Sequence, residues 1–177
     1  LSRQRNAEKE LETLRQSQHQ AADQASKIQG ELYEVGGEIA GQDAETKQAL
    51  FDYGDALGIA FQIVDDLLDY GGTKAIGKNL GDDFRERKLT MPVIRAIAKA
   101  DADERAFWDR TIGKGRQEDG DLAHAMAIMA RHGTMESTRD EALSWAGKAK
   151  VSIAKLPAHP LRQMLHDLAD YVVARIT

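Results

Sequence analysis

The chain contains no cysteine, which excludes disulfides, zinc–thiolate sites and thiol nucleophiles. Proline occurs only as Pro92, Pro157 and Pro160, so long stretches are left open to helix. Aromatic residues are scarce at 6%. Alternating runs of β-branched residues, the mark of half-buried strands, are missing. No run of 18 or more apolar residues occurs, so no membrane span is expected. The N-terminal end is highly polar and has no signal-peptide apolar segment, which makes cytoplasmic residence the expectation. There is no basic excess either. With 24 Lys and Arg against 29 Asp and Glu, the formal charge is −5, which argues against a general nucleic-acid binder. What remains is 177 residues, 42% of them hydrophobic. That is enough for one domain with a real core, or a core plus an appendage. The expected class is all-α.

Residues 1–34 stand apart, being rich in Gln, Glu, Lys, Arg and Ala. Leu11, Leu14, Gln18, Ala21, Ala25, Ile28, Leu32, Val35 and Ile39 follow one another at alternating gaps of three and four, the period of a coiled-coil seam. An amphipathic helix packed on the chain's own core, a coiled-coil arm with a partner, or a segment disordered in isolation satisfies this pattern. Gly36, Gly37 and Gly41 are expected to interrupt it. A second helix is expected from Asp43, a plausible N-cap, to Tyr70. Gly54 and Gly58 inside it are four apart, a spacing that admits a close neighbouring helix. Residues 71–83 read as a glycine-rich loop. A helix restarts near Thr90 with Pro92 in its first turn, where proline is tolerated. Further helical segments are expected over 101–116, 119–132 and 134–156, then a break at "PAHP", then a last amphipathic helix. Leu122, Met126 and Met129 form a core stripe, as do Ala142, Leu143, Ala146, Ala149 and Ile153. Trp108 and Trp145 are expected as packing anchors. The five histidines read as surface or cap residues, none at ligand spacing from a carboxylate.

Within this helical frame, "FQIVDDLLDY" (residues 61–70) is chemically unusual. Asp65 and Asp69 share a helix face, and Asp66 is rotated about 100° from Asp65. Like charges at such spacing destabilise a helix by roughly 0.2–0.5 kcal/mol per pair. A hard divalent cation reverses that sign, because carboxylate oxygens are its preferred ligands. Magnesium commonly takes one or two carboxylates and completes its shell with water and phosphate oxygens. Gln62, one turn earlier, could hold a carboxylate or a ligand oxygen. The following segment, "GKNLGDDFRERK", adds Lys78, Arg85, Arg87 and Lys88. Carboxylates for a metal and cations for the oxygens the metal leaves bare make a site for a metal–diphosphate.

"GDALGIAFQIVDDLLDY" followed by "GKNLGDDFRERKLTMPVI" resembles the second aspartate-rich motif and following loop of the trans-polyprenyl diphosphate synthases. The long-chain, octaprenyl- and decaprenyl-type members are nearest. The resemblance covers residues 35–177 and implies a helical bundle of the isoprenoid synthase type. It implies prenyl transfer, in which an allylic diphosphate is condensed with isopentenyl diphosphate with the help of Mg²⁺. It places Asp65 and Asp69 on the metal with Asp66 supporting them. Gln62 matches a position near the reacting carbon. Lys78 and Lys88 match loop lysines that meet the allylic diphosphate, and Asp83 matches the acidic residue of the G-x-D step. Arg87 stands where many members have glycine.

Three family features are not found: a first aspartate-rich motif in residues 1–60, the isopentenyl-binding G-K-x-R segment, and the K-T step just before the G-G-E-I-A region. Residues 1–34 instead resemble a coiled-coil arm of a chromosome-segregation ATPase. The expectation is therefore a family domain truncated at its N-terminal half, residues 35–177, behind a coiled-coil-like helix, residues 1–34. Catalysis by this chain alone is expected to be weak or absent. The competing expectation is a catalytically inactive interaction or regulatory subunit pairing with a complete synthase. A homodimer or heteromer is expected, with no nucleic-acid partner.

Overall fold

The computed structural model describes residue 20 and residues 23–24, 26–37, 40–71 and 80–176. Every regular element among them is helical. Helix α1 covers residues 26–37. It is followed by α2 (Ala44–Gly71), α3 (Asp82–Arg85), α4 (Met91–Lys99) and α5 (Ala102–Trp108). A π-helical turn, Asp109–Gly113, extends α5, and α6 (Asp121–Arg131), α7 (Thr134–Ser152) and α8 (Pro160–Ala174) complete the order.

The helix ends follow local chemistry. Asp43 caps α2, its Oδ1 accepting from the Thr46 N–H at 2.8 Å. Thr90 precedes α4, with Pro92 inside the first turn. Asp101 and Glu104 form a reciprocal capping box at α5. His159 caps α8, its Nδ1 accepting from the Leu161 N–H at 3.2 Å.

The chain divides into two compact units, and α2 and α7 each contribute residues to both. The first, residues 65–138 as described, has a core of Tyr70, Phe84, Leu89, Val93, Trp108, Ile112, Ile128 and Met129. Leu122 and Met126 pack against it, so the expected core stripe on α6 is present. Trp108 meets Phe84 and Phe107 edge-on, with ring centres 6.5 and 5.1 Å apart. Arg110 forms a two-pronged bond to buried Asp121, at 2.9 and 2.7 Å, and also donates to the Arg116 carbonyl at 2.8 Å. Glu104 is buried and receives Arg131, His132 and the Asp101 N–H. Glu104 and His132 are 28 apart in sequence, beyond the reach of any local spacing rule. His132 is the C-cap of α6, in keeping with the cap reading, while His166 lies 3.5 Å from Asp170 one turn on, a local pairing that the spacing reading passed over.

In the second unit, residues 20–64 and 139–177, α1 lies on α2 where glycine clears the way. A Cβ on Gly54 would stand 2.6 Å from Tyr33 and 2.9 Å from the Gln29 carbonyl, and one on Gly58 would be 3.4 Å from the Ser26 Cα. Ser26 Oγ donates to the Asp55 carboxylate and carbonyl, both at 2.7 Å. The close approach foreseen from Gly54 and Gly58 is therefore present, and it buries Ser26 and Gly30. Ile28, Leu32 and Val35 of the expected seam point to solvent, at 53, 65 and 49% exposure. The Leu11–Gln18 part of the seam, Ala21, Ala25 and Ile39 lie outside the described residues. The helix continues through Gly36 and Gly37, where an interruption was expected. Ala142, Ala146 and Ala149 on α7 and Ile153 just past its end are buried while Leu143 is partly exposed; the helix stops at Ser152, short of the expected residue 156. Tyr53, buried in α2, donates its hydroxyl to the Leu165 carbonyl of α8 at 2.7 Å.

Candidate functional site

The aspartates occupy the last two turns of α2, inside the first unit. Apolar Leu67 and Tyr70 on the same turns are buried in the core, which fixes the rotation of the helix and the direction of its acidic shoulder. Asp65 and Asp66 are half-buried and Asp69 is buried. Asp66 Oδ2 accepts from the Met91 N–H at 2.7 Å, so the first turn of α4 is pinned to this carboxylate. Asp69 is held twice. Its carbonyl accepts from the Gly81 N–H at 2.8 Å, and its Oδ2 accepts from the Asp83 N–H at 3.2 Å.

Gly81 makes that return possible. Its φ is 77°, in the left-handed region, and an added Cβ would collide with Leu122 at 2.5 Å. The chain then enters α3, a four-residue helix inside a stretch whose sequence signals only loop and restart. Phe84 anchors α3 in the core, and Asp83 projects toward Lys88. Lys88 Nζ lies 2.8 Å from Asp83 Oδ1 and 2.8 Å from Glu86 Oε2. These hydrogen bonds raise the ammonium above its ordinary range.

The electrostatics are one-sided. Burial pushes the Asp66 carboxyl up to about 7, opposed by the Met91 N–H and aided by Asp83, Asp65 and Asp69. Burial also raises Asp69, with Asp83 and Asp82 adding to the shift. Tyr70, buried beneath them and bonded to Thr90 at 3.3 Å, is raised as well. Burial is thus the first cause of both carboxyl shifts, and the neighbouring aspartates add to it.

Among the described residues no group of three or more Asp, Glu or His is placed to hold a metal ion by itself. Asp66 and Asp69 each use one carboxylate oxygen on a backbone N–H. One oxygen on each remains, which suits a cation that brings water and phosphate oxygens of its own. The donor set fits hydrated magnesium carried by a diphosphate and does not fit an all-protein calcium cage.

Structure and sequence thus bring Asp65, Asp66, Asp69, Asp83 and Lys88 into one neighbourhood. Gln62 is exposed one turn before Asp66 on the same helix. Lys78 lies outside the described residues. The sequence reading missed Met91, whose backbone N–H orients Asp66, since no side-chain pattern announces a backbone donor. It also missed Glu86 as a partner of Lys88, although the two-residue spacing was visible.

An all-α chain that ends an apolar helix in carboxylates and hydrogen-bonds a lysine-bearing turn to that end has the architecture of an isoprenoid synthase. The chain belongs to the polyprenyl synthetase family, whose profile matches residues 8–129. That match begins inside the 1–34 segment. The octaprenyl diphosphate synthase of Haemophilus influenzae is 38% identical over 149 residues, 81% of this chain and 45% of its own length. A decaprenyl diphosphate synthase structure from Rhodobacter capsulatus is 66% identical with a TM-score of 0.81, covering 86% of this chain and 47% of its own. A Caulobacter crescentus polyprenyl synthase, complexed with calcium and isoprenyl diphosphate, is 44% identical with a TM-score of 0.75, covering 81% and 44%. The chain thus spans somewhat less than half the length of these relatives.

Proposed function

We propose that the α2–α3 neighbourhood binds the diphosphate of an allylic prenyl substrate through Mg²⁺, as one wall of a prenyltransferase site that joins allylic and isopentenyl diphosphates. The observation that carries this reading is the clustering of Asp66, Asp69 and Asp83 at the end of α2, with Lys88 held close by through Asp83. The Caulobacter relative, which carries a divalent cation and an isoprenyl diphosphate, supports the choice of ligand.

In this reading Asp65 and Asp69 would hold the metal, and Asp66 joins them while the Met91 N–H fixes its orientation. When bound, Mg²⁺ supplies electrostatic stabilisation of the departing diphosphate. Lys88 and Lys78 neutralise diphosphate oxygens as negative charge grows on them. Asp83 aims Lys88 and keeps its ammonium protonated. Gln62 faces the reacting end of the allylic chain. The 177-residue chain by itself carries one aspartate-rich motif. Loss of a single charge-stabilising donor commonly costs about 10²–10³ in rate, so this polypeptide alone binds diphosphate with little or no turnover. Cytoplasmic residence belongs to the same reading.

Ligand binding to the native state raises its melting temperature by mass action. A thermal scan with 5–10 mM (order of magnitude) MgCl₂ and pyrophosphate is the test, and a rise of several degrees is expected. No rise with magnesium and pyrophosphate together contradicts the reading. A second reading, an interaction subunit paired with a complete synthase, is favoured by one observation. Leu161, Met164, Leu168 and Tyr171 leave an apolar stripe exposed on α8. Light scattering of the chain mixed with a complete synthase checks it, and two separate peaks speak against pairing.

A further inference from the structure

Arg87 is the only non-glycine residue with a positive φ among the described residues, at 62°. The turn closing α3 requires it. The Arg87 N–H donates to the Phe84 carbonyl at 3.0 Å, and the Lys88 N–H to the Asp83 carbonyl at 2.8 Å. This is a Schellman closure, in which the left-handed position is usually glycine. A side chain there is disfavoured, and charge pairing does not explain its presence. Arg85 pairs with Asp82 and Lys88 with Asp83 and Glu86, whereas Arg87 makes no ion pair among the described residues.

The side chain instead lies across Gly115. A Cβ built on Gly115 would stand 2.9 Å from Arg87 Nη1 and 3.4 Å from its Cζ, so the exposed Arg87 side chain packs on Gly115, whose own φ of 66° favours glycine. Two residues further on, Gln117 Nε2 donates to the Phe84 carbonyl at 2.8 Å and to the Thr111 carbonyl at 3.3 Å. The Phe84 carbonyl thus accepts from both the Arg87 N–H and Gln117. Residues 115–117 are fastened to the α3 turn at two points, and they are held in turn by Arg110 through the Arg116 carbonyl. The other side of the same turn carries Asp83 and Lys88.

We infer that Arg87 and Gln117 are positioning residues: by joining segment 115–117 to the α3 turn they hold that turn, and with it Asp83 and its Lys88 partner, against the Asp69 end of α2. The inference rests on the diphosphate-binding reading. It accounts for an arginine kept where the backbone favours glycine, because the strain is the condition for reaching Gly115.

Arg87→Gly separates positioning from stability, since glycine suits the turn. In the full chain this variant keeps or raises the melting temperature, yet binds magnesium pyrophosphate at least about fivefold more weakly by calorimetry. Arg87→Lys, which keeps the charge and stem but not the planar fork, lies between. Gln117→Ala weakens binding in the same direction without relief of strain. Kd values within about twofold of wild type for both Arg87→Gly and Gln117→Ala overturn the inference. Should wild type itself bind no magnesium pyrophosphate, the diphosphate reading fails and amide exchange decides the fastening separately. The Lys114 and Arg116 amides, both hydrogen-bonded, exchange several-fold faster in Arg87→Gly if the contact holds this segment. Unchanged exchange there contradicts it.

Discussion

The Asp66 carboxylate accepts a 2.7 Å hydrogen bond from the backbone N–H of Met91, tying the acidic end of α2 to the first turn of α4. One carboxylate thus serves as a helix-to-helix fastener while burial and three neighbouring aspartates resist its ionisation. An amide can keep the first role and drop the burden of the second. Asp66→Asn is expected to raise the stability of the ligand-free protein at pH 8 by roughly 1–3 kcal/mol, each pH unit of displaced titration corresponding to about 1.4 kcal/mol. The folded protein holds the Asp66 proton up to about pH 7, the unfolded chain only to its ordinary 3.8. The wild-type penalty is therefore complete above pH 7 and disappears as pH falls toward 4. Urea melts at pH 8 and pH 4.5 check both halves: the gain should shrink at the lower pH.

The α1–α2 contact depends on an absent side chain. A methyl on Gly54 meets Tyr33 and the Gln29 backbone, and the backbone cannot turn aside. Gly54→Ala should destabilise by about 1–3 kcal/mol through overpacking, despite alanine's better helix propensity. Gly147 in α7 has nothing within 4 Å of its absent Cβ. Gly147→Ala should stabilise by about 0.5–1 kcal/mol, the propensity gain alone. Paired thermal melts check the opposite signs, and the same sign for both contradicts the packing described.

Asp121 and Arg110 make the first unit sensitive to acid. The guanidinium's hydrogen bonds hold the Asp121 carboxyl below its ordinary 3.8 despite burial. A carboxyl depressed in the folded state stabilises above the unfolded-state pKa, and that contribution is lost as pH falls through the lower folded value. Asp121→Asn should therefore cost about 1–3 kcal/mol at pH 7, the scale of hydrogen bonds to a charged group. The difference from wild type should narrow below pH 4. Melts across pH 2–7 test this, and a constant gap down to the acid limit contradicts it.

The main helices were legible because their ends carry local signals: Asp43 before α2, Thr90 and Pro92 at α4, "PAHP" before α8. The aspartate ledge was legible too, since helical spacing alone places Asp65 and Asp69 on one face. Helix α3 was not, because four residues give no period, and it exists through the Gly81 turn and the burial of Phe84. Ile28, Leu32 and Val35 share an exposed face, which speaks against packing of that face on the chain's own core. Periodicity states which residues lie together. Which face is buried was decided by the clearance at Gly30, Gly54 and Gly58. The Glu104–His132 pair and the Asp66–Met91 bond join distant positions through a buried carboxylate and a backbone donor, and neither leaves a sequence pattern. The glycine-to-arginine departure at position 87 was visible, but its left-handed backbone was not.

The most direct measurement is isothermal titration of pyrophosphate into the chain, with and without Mg²⁺, repeated on Asp69→Asn. Saturable heat at one site per chain that requires Mg²⁺ and falls at least about tenfold in affinity in the variant is the expected result. Each tenfold corresponds to about 1.4 kcal/mol, within reach of losing one charged ligand. Equal heats with and without Mg²⁺, or an affinity unmoved by Asp69→Asn, would contradict a magnesium-bridged diphosphate at the end of α2.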